Sequence, residues 1–306
     1  MRLLKSGKVK DVYEVDTGHL DFHFSDRISV FDKIIPSKIP YKGETLALTS
    51  AYWFEVIKEL GFNSHYISLT APNKMRVKRV NVIKDYTKLN SKTNNYLIPL
   101  EFVTRYFVYG SLWERVHRFE INSEALGFSK NHQIKLAEPL PKPFFEVTTK
   151  LETIDRNITT AEALRISGVT PSEFEWIKKV TLTIDEEINS RVRVRGLIHV
   201  DGKKEFAFDE KRNLMVVDTF GTADEDRFWD ANEFEKGRYI EKSKEYVRRY
   251  YRETGYYDLL MNARRKGAEE PPIPSLPSDM IEQVSEVYIS LYEEITEQSF
   301  KPKEYL

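Results

Sequence analysis

The sequence contains no cysteine, and its six histidines are dispersed along 306 residues. The missing thiols exclude disulfide bonds, thiolate nucleophiles and cysteine-ligated zinc. The dispersed histidines do not suggest a histidine-based metal site. Any catalytic chemistry therefore has to rest on carboxylates, lysines and arginines.

Long hydrophobic runs and an excess of one charge are missing as well. No stretch approaches the ~18 apolar residues of a transmembrane helix, and the basic start MRLLKSGKVK is not followed by a signal-peptide core. With 47 Lys and Arg against 48 Asp and Glu, the net charge of −1 draws the chain neither to nucleic acid nor to an anionic membrane. We expect a cytoplasmic protein without nucleic-acid or membrane partners, and a homo-oligomer stays open.

One stretch, from Gly196 to Trp229, gathers polar side chains at the ends of two apolar runs. The runs are separated by a polar, turn-forming segment, so we expect two paired strands. The polar residues at their ends are Asp201, Lys203, Glu205 and Asp218. Because Mg²⁺ takes one or two carboxylates together with nucleotide phosphates, this pattern favours a magnesium site. An ordinary hairpin with solvated charges is the alternative.

The same stretch is similar to the catalytic core of kinases, in which H-x-D-x-K precedes a D-F-G that holds magnesium. Here HVDGK begins at His199 and DTFG begins at Asp218. A kinase carries an Asn five residues after the Asp of the first motif, and this chain has Phe206 there. An ATP-dependent kinase is the main rival hypothesis. A non-catalytic nucleotide-binding module is the second, although such a module would tolerate loss of the carboxylates that are present.

The N-terminal sequence predicts two β-strands joined by a turn at Gly7, with Lys8 and Lys10 close to that turn. A strand-turn-strand flap of this kind can cover phosphates with N–H groups and an ammonium. The GxxxxGK[ST] sequence of a Walker loop is missing. Taken alone, an exposed basic hairpin fits this turn better.

The apolar segment Leu97–Ser111 contains Glu101 and Arg105, four residues apart. A buried Glu101–Arg105 ion pair is one interpretation of that spacing. Gly110 and Ser111 then offer N–H and hydroxyl groups to an anion, or Ser111 caps a helix with Glu114.

Other segments predict supporting elements. We expect a helix from Thr45 to Leu60, one from about Glu233 to Glu253, and a final helix from Ser278. Ser172 and Glu175 match a capping box at the start of a further long helix. The proline-containing segment 136–159 predicts an extended linker.

Seven segments, in this order, resemble the SAICAR synthetase (phosphoribosylaminoimidazole-succinocarboxamide synthase) family. They are GKVKDVYEV, SDRISVFD, KGETL, IPLEFVTRYFVYGS, LPKPFFEVTTKLE, DGKKEFAF and DTFGTADEDRFW. The resemblance covers roughly residues 5 to 230 and is most specific at 97–111 and 201–229.

The resemblance implies an α+β fold of two lobes with a kinase-like ATP cleft between them. We expect a β-rich nucleotide-binding lobe over 1–108 and a larger α+β lobe over 109–306. It also implies a ligase that uses ATP and Mg²⁺ to join L-aspartate to the carboxylate of carboxyaminoimidazole ribonucleotide (CAIR) in purine synthesis. A carboxylate is a poor electrophile, and its phosphorylation by ATP makes an acyl phosphate that the amine of L-aspartate can attack.

The resemblance carries roles to individual positions, with adenine contacts expected between residues 75 and 101. The implied catalytic residues are Asp201, Lys203 and Lys150, and the implied metal ligands are Glu205 and Asp218. The implied ATP-binding residues are Gly7, Lys8, Lys10 and Glu101. The implied substrate-binding residues are Asp26, Arg105, Gly110, Ser111, Asp224 and Arg227.

The chain departs from the family pattern in the loop before Arg227. The family usually has T-P-D-S-S-R where this chain has TADEDR, Asp-Glu where it has Asp218-Thr219, and Gly at the position of Ala207. We expect the extra carboxylates, Glu225 and Asp226, to weaken an anion site at Arg227.

Overall fold

The computed structural model describes residues 1–302, which form two large antiparallel sheets, a separate two-stranded hairpin of β4 and β5, and eight α-helices. The strands are β1 (Arg2–Ser6), β2 (Lys10–Glu14), β3 (His19–Phe24), β4 (Arg27–Val30), β5 (Lys33–Lys38), β6 (Tyr66–Ala71), β7 (Lys74–Lys78), β8 (Tyr96–Phe107), β9 (Pro139–Thr149), β10 (Asn157–Ile158), β11 (Leu197–Phe208), β12 (Leu214–Val217) and β13 (Arg227–Asp230). The helices are α1 (Lys42–Glu59), α2 (Ser111–His117), α3 (Thr160–Ser167), α4 (Pro171–Arg193), α5 (Ala231–Glu235), α6 (Glu245–Glu253), α7 (Tyr256–Lys266) and α8 (Ser278–Thr296). The predicted α+β class is confirmed.

The first sheet has the order β1-β2-β3-β7-β6. Its first hairpin turns at Gly7, whose N–H donates to the carbonyl of Lys10 at 2.9 Å. A Cβ on Gly7 would lie 2.6 Å from that carbonyl oxygen, so this tight turn requires glycine. α1 packs on β3, β6 and β7, and α8 packs on α1.

The second sheet has the order β10-β9-β8-β11-β12, and β13 also pairs with β11. Its second strand, β9, lies between β10 and β8 where a linker was predicted, and that prediction was wrong. The prolines stand in the first part of β9, where few ladder hydrogen bonds are made, and the aromatic and β-branched run FFEVTT supplies the regular pairing with β8. α4 packs on β8 and β11.

The long helix α4 begins two residues earlier than the predicted capping box. Thr170 is the N-cap: its hydroxyl accepts from the N–H of Glu173 at 3.3 Å, and the Glu173 carboxylate accepts from the N–H of Thr170 at 2.8 Å. Pro171 at the first helical position favours this start. The capping box at Ser172 was therefore wrong, although both pairs match the same sequence pattern.

Three other predicted helices match the structure in part. α8 begins at Ser278 as predicted, and α1 starts three residues before the predicted Thr45. The single helix expected over residues 233–253 is wrong, because α5 ends before Gly237 (φ 73°) and the chain runs extended beside β13 before α6 begins.

The two sheets meet along a short parallel pairing before β6. The N–H of His65 donates to the carbonyl of Val216 on β12 at 3.0 Å, and the N–H of Val216 donates to the carbonyl of Asn63 at 2.9 Å. The lobe boundary at residue 108 stays a prediction; the strand before it, β8, pairs with β9 and β11. None of the helices within residues 1–302 has the length and apolar character to cross a membrane.

Candidate active site

Two neighbouring strands deliver the predicted metal carboxylates to the line where the sheets meet. Glu205 on β11 lies opposite Val217 of β12, and Asp218 follows directly after β12. Asp218 has φ 64°, a left-handed conformation that Asp tolerates better than most residues and that turns the chain sharply. Both carboxylates form ion pairs with Lys150 at the end of β9, and the Lys150 Nζ–Asp218 Oδ2 distance is 3.9 Å.

Lys203 is surrounded by three carboxylates. Its Nζ lies 2.8 Å from Glu101, 3.2 Å from Glu205 and 3.1 Å from Glu225. Because β11 is an extended strand, Lys203 and Glu205 point to the same side, two residues apart. From the first sheet, the Lys10 ammonium contacts Asp218. We refer to Lys10, Lys150, Lys203, Glu101, Glu205, Asp218 and Glu225 together as the charged cluster.

Burial and close opposite charges set the protonation of this cluster. Burial by itself raises the pKa of Glu205, but Lys150 and Lys203 outweigh it and hold the pKa at about 2. Burial lowers the pKa of Lys10 to about 8, against the pull of Glu225 and Glu205. Burial raises the pKa of Glu101, and Lys203 opposes that shift. The cluster thus holds anionic Glu205 among ammonium groups.

A cavity of ≈ 500 Å³ opens beside the cluster, a volume within the range typical of small-molecule sites. Lys10, Lys150, Glu205 and Asp218 close one end. The remaining wall is largely apolar and includes Val12, Leu20, Phe22, Val77, Val80, Val82, Leu97 and Val217. An apolar slot that ends in charged groups suits a nucleotide, and several of its residues fall in the 75–101 region where adenine contacts are expected.

The flap residues divide between the cluster and the surface. Lys10 joins the cluster, whereas Lys8 pairs with Asp32 at 2.5 Å and its side chain is 51% exposed. The carbonyl of Gly7 accepts from Arg27 Nη2 at 3.1 Å, which fastens the tip of the turn. Only one of the two predicted lysines therefore reaches the cluster in this structure.

A second group of side chains surrounds Asp201. Arg105 Nη1 lies 3.2 Å from the Asp201 carboxylate, and Arg227 Nη1 lies 2.5 Å from the same oxygen. Arg105 Nη2 also donates to Ser111 Oγ at 3.0 Å. Gly110 (φ 57°) packs against Arg227, since a Cβ there would lie 2.8 Å from the guanidinium. The structure thus brings together four predicted substrate-binding residues around Asp201. We refer to Arg105, Gly110, Ser111, Arg227 and Asp201 as the arginine group.

Two interpretations of the Leu97–Ser111 segment were wrong. Glu101 and Arg105 do not pair, because four residues in a strand span about 13 Å. Arg105 Nε instead donates to Glu146 at 2.7 Å. Ser111 is not the cap of α2; Gly110 holds that position without a side-chain cap.

Asp26 and Asp224 lie in other surroundings. Asp26 Oδ1 accepts from the N–H of Gly43 at 3.0 Å, near the start of α1. Asp224 is buried and accepts from Lys42 at 2.8 Å and from the Tyr288 hydroxyl at 2.5 Å. Asp224 also lines a cavity of ≈ 210 Å³ together with Lys203, Glu225 and Arg227.

The extra carboxylates before Arg227 do not pair with it. Asp226 accepts from His199 Nε2 at 2.8 Å and from Lys204 at 3.1 Å, and Glu225 pairs with Lys203. Neither carboxylate therefore neutralises Arg227 by direct contact, and a weakened anion site at Arg227 stays a prediction. Arg227 pairs instead with Asp201 and, at 3.4 Å, with Glu245.

Sequence reasoning missed several residues that support the site. They are Lys42, His65, Glu146 and Glu245. His65 Nε2 lies 3.2 Å from the Asp218 carbonyl, and burial with the nearby Lys10 lowers its pKa to about 3. A neutral ring can thus steady the left-handed turn. Each of these residues is distant in sequence from its partner, so no local pattern identified it.

Comparisons with known proteins agree on one family. The SAICAR synthetase family model matches residues 3–262. The phosphoribosylaminoimidazole-succinocarboxamide synthase of Thermoplasma volcanium is 49% identical over 300 residues, which is 98% of this chain and 100% of that protein. The protein of the same name from Nitrosopumilus maritimus is 32% identical, over 98% of this chain and 100% of its own length.

Solved structures show the same fold. A SAICAR synthase from Saccharomyces cerevisiae in complex with SAICAR superimposes with a TM-score of 0.73 at 24% identity, covering 99% of this chain and 97% of that one. A type-2 SAICAR synthetase in complex with ADP gives a TM-score of 0.68 at 23% identity, covering 97% and 99%. From the family match and the near-half identity over its length, this chain belongs to the SAICAR synthetase family.

Proposed function

We propose that this protein is an ATP-dependent ligase that joins the amine of L-aspartate to the carboxylate of CAIR, giving SAICAR, ADP and phosphate. Membership of the SAICAR synthetase family supports this activity. The observation that carries it is the position of the charged cluster, between an apolar cavity on one side and the arginine group on the other. A nucleotide and a phosphorylated substrate can therefore meet at the cluster.

ATP fits the cavity of ≈ 500 Å³ with its phosphates toward Lys10 and Lys150. These two ammonium groups come from different sheets, so they can approach a phosphate chain from two sides. Phosphoryl transfer depends mainly on positioning and on charge neutralisation, which is what the lysines supply. No side-chain nucleophile is needed.

Glu205 and Asp218 are the residues that would hold magnesium. Their donor set fits, because both are carboxylates of adjacent strands and both already share one cation, the Lys150 ammonium. When bound, the ion would neutralise phosphate oxygens during transfer. Glu101 and Lys203 complete the ring of charges around this position.

The ribonucleotide fits along β11. Asp201, Lys203 and Glu205 follow one another on one side of the strand, each about 7 Å from the next. A phosphate near Arg227 and Ser111 would therefore leave the imidazole carboxylate near Lys203. We assign Asp201 to positioning rather than proton transfer, because it is buried between Arg105 and Arg227 and orients both guanidinium groups.

The reaction then needs two steps at one place. An oxygen of the CAIR carboxylate attacks the γ-phosphorus of ATP, the bond to ADP breaks, and an acyl phosphate forms. The amine of L-aspartate attacks the acyl carbon, phosphate leaves, and the amine loses a proton. In this proposal Lys150 and Lys203 neutralise the negative charge that accumulates on the transferred phosphoryl group.

The test is an omission assay for ADP formation. Complete mixtures of Mg-ATP, CAIR and L-aspartate should release ADP, and removal of any one component should stop it. A further arm replaces CAIR with hydroxyl-bearing acceptors, which a kinase would use. Turnover with a hydroxyl acceptor and none with the complete ligase mixture would reject the proposal in favour of a kinase. The burial of Phe206, at the position of the second-metal Asn of kinases, already argues against that rival.

A further inference from the structure

Glu225 differs from its two neighbours in the chain, Asp224 and Asp226, each of which has two side-chain partners. Asp224 is held by Lys42 and Tyr288, and Asp226 is held by His199 and Lys204. These contacts anchor the turn on both sides of Glu225. Within residues 1–302, the Glu225 carboxylate has one ion pair, with Lys203 at 3.1 Å, and its side chain is 19% exposed.

Glu225 is one of three carboxylates that stabilise the charged form of Lys203. Glu101 at 2.8 Å and Glu205 at 3.2 Å remain on the same ammonium if Glu225 moves away. Breaking a buried ion pair is costly mainly because one charge is left without a partner. Departure of Glu225 avoids that cost, since Lys203 keeps two carboxylates. The adjoining cavity of ≈ 210 Å³, lined also by Arg227 and Arg248, leaves space beside the contact.

A carboxylate on Lys203 is also what an acidic substrate offers. We propose that Glu225 is a specificity-determining residue that occupies a carboxylate position on Lys203 and is displaced when a substrate carboxylate binds there. Glu225 thus competes internally with the substrate and admits only ligands whose own carboxylate can replace it. This inference rests on the proposed ligase function, in which both CAIR and L-aspartate carry carboxylates.

The test uses Glu225→Gln, which keeps the size of the side chain and removes its charge. With magnesium saturating, the KM of CAIR, of L-aspartate or of both should fall on the order of threefold to tenfold, because the competitor is gone. The KM of ATP and kcat should stay within about twofold of the parent. Glu225→Asp, with a shorter reach, should give an intermediate decrease.

Glu233→Gln is the matched control, because it removes the same charge outside the cluster. Glu233 pairs with Lys236 and Arg238 on the surface. This control should leave every KM unchanged. Calorimetric titration of CAIR and of L-aspartate into the parent and Glu225→Gln, without ATP, measures affinity apart from turnover and shows which substrate reaches Lys203.

The outcomes separate two failures. If the parent releases no ADP in the complete mixture, the ligase function fails. If the parent is active but Glu225→Gln leaves the KM of both carboxylate substrates unchanged or raises it, the role of Glu225 is overturned. A collapse of kcat without a fall in either KM would likewise overturn it, because Glu225 would then act in the chemistry or in folding.

Discussion

Two buried glutamates four residues apart, Glu241 and Glu245, show how surroundings decide the charge of one residue type. Burial raises the pKa of Glu241 to about 7, and its hydrogen bond from Trp229 Nε1 at 3.0 Å only partly opposes this. Burial also acts on Glu245, but Arg227, Arg248 and Arg252 outweigh it and hold its pKa at about 2. The two side chains therefore make stability depend on pH in opposite ways.

Glu241→Gln should remove the free-energy cost of holding an ionised carboxylate in a buried position, a cost that depends on pH. Between pH 4.5 and 7 the folded protein binds a proton at Glu241 that the unfolded chain has released, so the free energy of unfolding falls as pH rises through this window. The variant should be more stable than the parent at pH 8, by up to roughly 3 kcal/mol, and should lose that advantage near pH 4. Urea unfolding at pH 4.5, 6 and 8 measures the difference, and parallel pH profiles for both proteins would contradict it.

Glu245→Gln is the counterpart with the opposite sign. A depressed pKa contributes stability that is present above about pH 4.5 and is lost as pH falls toward 2. This variant should be less stable than the parent at pH 7, and the two unfolding curves should converge on acidification. Equal destabilisation at all pH values would show that packing, rather than charge, holds Glu245.

At the scale of single elements, α4 offers two residues, Thr170 and Ser172, that match the N-cap pattern in the sequence, and only Thr170 is the N-cap in the structure. Thr170→Ala removes the acceptor for the N–H of Glu173 and should lower the free energy of unfolding by about 1 kcal/mol. Ser172→Ala lies inside the first turn and should change it by less than about 0.5 kcal/mol. Thermal or urea unfolding of both variants checks this, and a larger loss for Ser172→Ala would reverse the assignment.

Elements with strong local patterns were predictable from the sequence. The hairpin of β11 and β12 followed from two apolar runs around a polar turn, and α8 followed from its amphipathic spacing. β9 and the break after α5 were not predicted, because their pairing with β8 and β13 depends on contacts with distant parts of the chain. Propensity is a weak guide wherever tertiary pairing decides the conformation.

The candidate site divides in the same way. Glu205, Asp218 and Lys203 lie on one local hairpin, so their proximity could be inferred from sequence spacing. The position of Glu225 on Lys203, and of His65 behind Asp218, follows from the folding of separate segments against each other. Family resemblance suggested roles for many residues, but only the folded structure distinguishes Lys10 in the cluster from Lys8 on the surface.

At the scale of the whole molecule, the charged cluster joins the two sheets. Lys10 belongs to the first sheet and contacts Asp218 at the end of β12 in the second. The ≈ 500 Å³ cavity is lined from both sides of this junction. A ligand bound there contacts both sheets, so it should stabilise the whole fold.

Mg-ATP should therefore raise the melting temperature, and Lys10→Met should reduce that increase. A ligand at 100 times its Kd adds about 2.7 kcal/mol to the free energy of unfolding, and a tenfold loss of affinity removes about 1.4 kcal/mol of that gain. Without ligand, the free energy of unfolding of Lys10→Met should differ from that of the parent by less than about 1 kcal/mol. The substitution removes an ion pair with Asp218, but it also removes the cost of burying the Lys10 ammonium. Lys58→Met, at an exposed position on α1, is the control and should keep the full increase. An undiminished increase in Lys10→Met would exclude Lys10 from nucleotide binding.

The alternation along β11 limits how this gene can change. From Asp201 to Phe206 the odd-numbered side chains face the arginine group and the charged cluster, whereas Lys204 pairs with buried Asp185 and Phe206 packs on Phe102 in the core. An insertion or deletion of one codon here would exchange the two sides, placing Phe206 among the lysines and Glu205 in the core. Single-codon length changes in β11 should thus abolish folding and catalysis together.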